Sequence, residues 1–187
     1  MQDEIVKALN VLRNGGVILY PTDTVWGIGC DATNEEAVKK VFEIKNRPSN
    51  KSLVVLVDND VKVEQHFKEV HEVAWQLFDS AEEPLTVVLN NPIGIAPSAI
   101  AEDNTLAIRI CKDEFCKRLI QQFKRPIIST SANISGTPTP TIFKEITPDI
   151  LGAVDYVVTL RQQETTKAKP SSIIKLGVNG EISIIRK

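Results

Sequence analysis

Five short apolar runs, "VILY" (17–20), "LVVLV" (53–57), "LTVVL" (85–89), "TLAIRI" (105–110) and "PIIST" (126–130), alternate with segments whose apolar residues recur every three or four positions. Few folds satisfy that pattern. The runs have the length of buried strands, and the segments between them have the period of helices packed on a sheet, so the chain is expected to be α/β. Ile5, Ala8, Leu9 and Leu12 form the apolar stripe of a first helix, which Gly15-Gly16 ends. Asn34 caps a second helix, with Glu35 and Glu36 in its first turn and Ala37, Val38, Val41 and Phe42 on its buried face as far as Lys45. From Val61 to Phe78 one helical period runs through Phe67, Val70, Val73, Ala74 and Leu77, and Asp113 starts another helix carrying Phe115, Leu119 and Phe123.

The last third changes character. "SANISGTPTPT" reads as a loop, "DYVVTL" as a strand, and "RQQETTKAKP" as a polar, mobile segment. "SSIIKL" and "EISIIR", joined through "GVNG", read as a hairpin, which makes the expected sheet mixed. At 187 residues, 42% of them hydrophobic, the chain has the size of one domain, residues 1–187, that buries roughly 70% of its unfolded surface.

Charge excludes some function classes. With 22 basic against 24 acidic residues, nothing draws the whole chain to nucleic acid or to an anionic membrane, so any anion site has to be local. Cys30, Cys111 and Cys116 contain no C-x-x-C pair and suit core or free thiols in a reducing cytoplasm. The amphipathic N-terminus has no signal-peptide core, and no run approaches a membrane span. There is no P-loop, no G-x-G-x-x-G, no H-E-x-x-H and no G-x-S-x-G, which leaves no metal site to predict; His66 and His71 read as surface residues of a helix.

Three places can carry a local site. In "EIKNRPSNKS", Lys45, Arg47 and Lys51 crowd around Pro48, which stops the helix and stiffens the chain at Arg47. Such cations could simply complement the dipole of a helix C-terminus; at the rim of a sheet they suit phosphates. In "IISTSANISG" a buried strand runs into Ser129, Thr130, Ser131, Asn133 and Ser135 beside Gly136, an array of neutral donors that is otherwise an ordinary polar turn. In "YPTDTVWGIGCDA", Thr22 and Thr24 supply hydroxyls, and Trp26, Gly27 and Gly29 suggest a turn approached by a ligand, although T-D-T equally suits a cap.

Taken together, "GGVILYPTDTVWGIGCDA", "IKNRPSNKSLVVLV", "LTVVL", "LAIRI", "ISTSANISG" and "KPSSIIKL" resemble the threonylcarbamoyl-AMP synthase family, the YrdC-like or Sua5-like domain, over nearly the whole chain. Lys45 and Arg47 with Ser131 and Asn133 match the family's K-x-R and S-x-N. The resemblance implies a twisted mixed sheet with flanking helices and a large concave cavity. It also implies a cytoplasmic enzyme that joins L-threonine, bicarbonate and ATP into threonylcarbamoyl-adenylate and pyrophosphate, for N6-threonylcarbamoylation of adenosine 37 in tRNA. Mg²⁺ would accompany the ATP. Partners would be downstream threonylcarbamoyl-transfer machinery and tRNA itself, with no membrane.

By the same resemblance, Lys45, Arg47, Lys51, Ser131, Asn133 and Arg186 would bind ATP, the tetrad being catalytic, while Thr24, Arg109 and Ser171 would hold threonine. "EEPLT" stands where the family has P-G-P, and Pro170-Ser171-Ser172 where it has P-S-T. The chain matches the short form of the family, and "RQQETTKAKP" is expected to act as a flap over the labile product. Two rival readings are a noncatalytic double-stranded RNA or tRNA-binding module, against which stand the 5% aromatic content and the charge, and a diverged paralogue with another substrate.

Overall fold

In the computed structural model, which describes residues 1–46 and 53–187, the alternating pattern becomes one sheet with helices on both faces. The elements in chain order are α1 (Gln2–Arg13), β1 (Ile18–Tyr20), β2 (Gly27–Gly29), α2 (Glu35–Lys45), β3 (Val54–Val57), α3 (Asp60–Gln65), α4 (Glu72–Ser80), β4 (Leu85–Asn90), β5 (Thr105–Ile110), α5 (Glu114–Phe123), β6 (Ile127–Ser131), α6 (Pro148–Ala153), β7 (Tyr156–Val157), β8 (Ser172–Leu176) and β9 (Ile182–Arg186). Among the described residues the nine strands lie in the order β7-β1-β2-β6-β3-β5-β4-β8-β9. Pairs β1–β7, β3–β5 and β4–β8 are parallel and the other five antiparallel, so the sheet is mixed.

Alternation along the strands sorts the core into two layers. Val17, Leu19, Val55 and Val57 face the layer shared with Val38, Val41 and Phe42 of α2. Ile18, Tyr20 and Leu56 face the other, with Leu9 and Leu12 of α1 and Phe115 and Leu119 of α5. Local signals set the helix starts: the Asn34 side chain accepts from Ala37 N at the head of α2, and Asp113 from Cys116 N at the head of α5. Gly15 takes the left-handed backbone, φ 71°, that ends α1.

Four expectations change. The helical period from Val61 to Phe78 is broken into α3 and α4. His66 caps the end of α3, Phe67 pairs antiparallel with Pro92, and the His71 ring accepts from Val73 N to start α4. Neither histidine is a freely exposed surface residue; both are half-buried. Tertiary pairing at Phe67 overrides a continuous period. "DYVVTL" contributes only the two residues of β7, and Trp26-Gly27 leads into a strand, not a turn. A Cβ on Gly29 would lie 2.3 Å from Ile128 O and 2.6 Å from the Tyr20 ring, so that glycine serves close packing of strand on ring.

All three cysteines are free and buried; burial pushes the Cys111 thiol up to about 12 and raises those of Cys30 and Cys116 as well. No described helix is long and apolar enough to cross a membrane.

Candidate active site

The sheet face that packs on α1 and α5 near β1 is left open farther along, and sequence explains why. Ser129, Val54, Ala107 and Val88 lie opposite one another in register across β6, β3, β5 and β4, while Gly27 lies opposite Ser131. Small side chains in that row leave a cavity of about 290 Å³, which Thr24, Arg109, Ser131, Ser171 and Arg186 also line. A larger chamber of about 740 Å³ adjoins it, sharing Thr24, Trp26, Pro170 and Arg186. Lys167, Lys169 and Lys187 line the outer chamber, a cationic contribution that the sequence pattern did not single out.

Lys45 and the exit of β6 meet. The Lys45 ammonium, at the end of α2, donates to Ser131 O and, at 2.7 Å, to Asn133 O; Lys45 O accepts from Ser135 N at 2.8 Å. The side chain is 1% exposed, so the charge sits inside the junction, where hydrogen bonds to an ammonium are strong. Asn133 continues the work by donating from Nδ2 to Ile134 O and Thr137 O, which fixes the Ser/Asn loop. Among the described residues its buried Oδ1 has no hydrogen-bond partner. Ser131 lines the inner cavity, whereas Asn133 lies behind it. Arg47 and Lys51 fall outside the described residues.

On the opposite wall, the Thr22 hydroxyl donates to Val25 O at 2.8 Å and accepts from Thr24 N, so at the 3.0 Å contact between the two hydroxyls it is Thr24 that donates. Thr24 therefore offers the cavity acceptor lone pairs. Arg109, 4% exposed on an otherwise apolar strand, reaches Asp23: Nη2 lies 3.1 Å from Oδ1, and Oδ2 accepts from Lys112 N at 3.0 Å. Asp23 was missed as a partner. Its one signal was that a buried arginine on an apolar strand calls for a carboxylate.

The Ser171 hydroxyl is 2.8 Å from that of Thr86, and Arg186 donates from Nε to Ser171 O at 2.9 Å. Partial burial and the nearby Arg109 charge hold the Arg186 guanidinium below its usual pKa. The two facing guanidiniums make this end of the hollow electropositive. Over the outer chamber, the 161–170 segment is tied down by Arg161, which donates to Thr22 O and Asp113 and pairs with Glu164, and by Ala168 N on Thr141 O. Among the described residues no group of three His, Cys, Asp or Glu side chains is arranged to hold a metal ion.

The Sua5/YciO/YrdC model, described as telomere recombination, matches residues 10–187. The chain belongs to this family. It is 36% identical over 188 residues to a putative threonylcarbamoyl-AMP synthase of Methanocaldococcus jannaschii, covering 98% of this chain and 87% of that one. It is 31% identical over 184 residues to the threonylcarbamoyl-AMP synthase of Pseudoalteromonas translucida, covering 97% of each. The structure of Pyrococcus abyssi Sua5 complexed with L-threonine superimposes with a TM-score of 0.82 at 31% identity, over 92% of this chain and 50% of that one. The present chain thus spans about half the length of that Sua5.

Proposed function

We propose that the chain is a threonylcarbamoyl-AMP synthase, residues 1–187 working as one catalytic unit. It converts L-threonine, bicarbonate and ATP into threonylcarbamoyl-adenylate, pyrophosphate and water. One observation carries the reading: a buried lysine from the end of α2 fastens the Ser131–Asn133 segment, 86 positions away, at the wall of a two-chambered hollow. Family relatives bearing this enzyme name, and a relative complexed with L-threonine, support it.

The chemistry divides between the chambers. The inner one has the size of an amino acid site, and the two volumes, 290 and 740 Å³, fall near the roughly 300–1,000 Å³ of small-molecule pockets. Arg109 takes the threonine carboxylate, with Thr24 and Ser171 beside it. The free amine adds to the carbon of bicarbonate, with loss of water, to give a carbamate. A carbamate oxygen then attacks the α-phosphorus and the bond to the β,γ-diphosphate breaks, so that pyrophosphate leaves. Such a step needs alignment and charge neutralisation more than covalent help.

Ser131 donates a neutral hydrogen bond to the nucleotide, Asn133 braces the loop behind it through Ile134 O and Thr137 O, Lys45 holds both in place and adds positive potential, and Arg47, Lys51 and Arg186 neutralise the triphosphate. Mg²⁺ would accompany ATP as part of that substrate and add positive charge beside the phosphates. The product passes to threonylcarbamoyl-transfer machinery acting on adenosine 37 of tRNA in the cytoplasm, with the 161–170 segment as a flap that keeps water from it meanwhile.

Pyrophosphate release from ATP tests the proposal. Release that requires both L-threonine and bicarbonate supports it; release with either one omitted, or salt-sensitive RNA binding with no release, refutes it.

A further inference from the structure

We propose that Asp23 is the positioning residue that fixes the Arg109 guanidinium and thereby gives the site its preference for a free α-carboxylate. The inference rests on the threonine-binding role given to Arg109 above and assigns a role to a residue outside that set.

Asp23 lies in the connection between β1 and β2, and Arg109 on β5, which β2, β6 and β3 separate from β1 in the sheet. The connection therefore arches over three strands to deliver one carboxylate to one guanidinium. Both side chains are buried, 8% and 5% exposed, and the carboxylate is itself anchored by Lys112 N–H on its second oxygen. One oxygen is thus fixed by a backbone donor while the other faces the guanidinium as an ion pair. A second tie, from Arg161 to Thr22 O and Asp113, fastens the same connection to the head of α5.

Asp23 Oδ1 faces Nη2 of Arg109 as an ion pair without forming a hydrogen bond, and among the described residues the buried Nε–H has no partner, although Arg109 lines the inner cavity. A buried donor left unpaired is costly, so the guanidinium gains by turning toward a ligand carboxylate in the cavity, and how far it turns is limited by Asp23. A guanidinium turned by a fraction of its width would present a different edge, and carboxylate recognition depends on that edge. Asp23 thus decides which donors the ligand meets. Arg186 adds positive charge nearby, so the pair of arginines with one aspartate keeps a net attraction for an anion.

Calorimetric binding of L-threonine and of L-threoninamide, which lacks the anionic carboxylate, separates this role from a structural one. The wild type should prefer L-threonine by about 30-fold or more, since a site built around a polar group rejects the analogue that leaves it unpaired. In Asp23→Asn the preference should fall to about threefold or less, with threoninamide affinity moved less than about twofold. A structural role would weaken both ligands together. Unchanged preference in Asp23→Asn, equal loss for both ligands, or tighter L-threonine binding, which would make Asp23 a competitor for the guanidinium, overturns the inference. So does a wild type that binds neither ligand.

If Asp23→Asn does not fold, as judged by its melting curve, Asp23→Glu keeps the charge and displaces the guanidinium by one methylene. It should still lower the preference by about threefold or more, and an unchanged ratio refutes the role. Pyrophosphate release by the wild type, measured alongside, reports on the proposed function separately. Release that requires L-threonine and bicarbonate, with an unaltered preference in the variant, sinks only the role of Asp23.

Discussion

Lys45→Met removes an ammonium from the junction between α2 and the Ser/Asn loop while keeping most of the buried side-chain volume. The wild-type ammonium donates to Ser131 O and Asn133 O. Hydrogen bonds involving a charged group are worth about 1.5–3 kcal/mol each. These two, among the described residues, are lost, and part of the loss is offset because a buried charge no longer needs desolvating. Ser131 O keeps its bond from Asn133 N, and Ser135 N keeps Lys45 O, so the loop is loosened and not released. The net cost should be about 3 kcal/mol, or a fall in Tm of roughly 6–12 °C for a chain of this size.

Activity should fall further than stability implies. The same bonds set where Ser131 and Asn133 stand, and a displacement of ~1 Å is worth about 100-fold in rate. Thermal denaturation and pyrophosphate release on one preparation measure both. A folded Lys45→Met protein with Tm within about 2 °C of wild type and kcat/KM within about threefold would refute the clasp as the organiser of the site.

Other perturbations have defined outcomes. Arg47→Ala, at a position assigned through the family motif, should lose about 2–4 kcal/mol of transition-state stabilisation, roughly 30- to 1000-fold in kcat/KM; under about threefold in a folded variant removes Arg47 from the chemistry. Gly29→Ala should cost on the order of 3 kcal/mol by denaturant titration, because the added methyl meets the Ile128 carbonyl and the Tyr20 ring, whereas Gly152→Ala in α6, with nothing within 4 Å of the new Cβ, should be neutral or stabilising by up to about 1 kcal/mol.

Glu4 supplies a pH signature. Burial would raise its pKa, but hydrogen bonds from Thr159 N–H and the Tyr156 hydroxyl outweigh it and hold the carboxyl below the usual range. A depressed carboxyl stabilises the fold above its unfolded pKa of about 4.3 and loses that contribution as pH falls through the folded value. Glu4→Gln should therefore be less stable than wild type at pH 7, with the gap closing below about pH 4; a gap that is constant between pH 3 and 7 contradicts the assignment.

Much of the scaffold was legible because local rules and packing agree. The stripe of Ile5, Ala8, Leu9 and Leu12, the caps at Asn34 and Asp113, and the "GVNG" hairpin each needed only neighbouring residues. The period from Val61 to Phe78 misled because the pairing of Phe67 with Pro92 comes from another part of the chain. Gly29 looked like part of a ligand turn, since sequence does not show the Tyr20 ring lying against the strand, whereas Trp26 and Gly27 do line the inner cavity, though at the start of a strand.

The site divides in the same way. The donor types around Ser131 and Asn133 could be read directly, and the family motif coupled them to Lys45. The link between Asp23 and Arg109 could not be read, because it depends on a strand order that separates their elements by three strands.

The central claim is that one hollow brings an amino acid carbamate and a nucleotide together. Incubation with ATP, L-threonine and ¹³C-bicarbonate, followed by mass spectrometry of the adenylated product, tests it most directly. The account predicts an adenylate carrying one threonine and one labelled carbon. An unlabelled threonyl-adenylate, or no adenylate from an enzyme that binds both ATP and L-threonine, would contradict it.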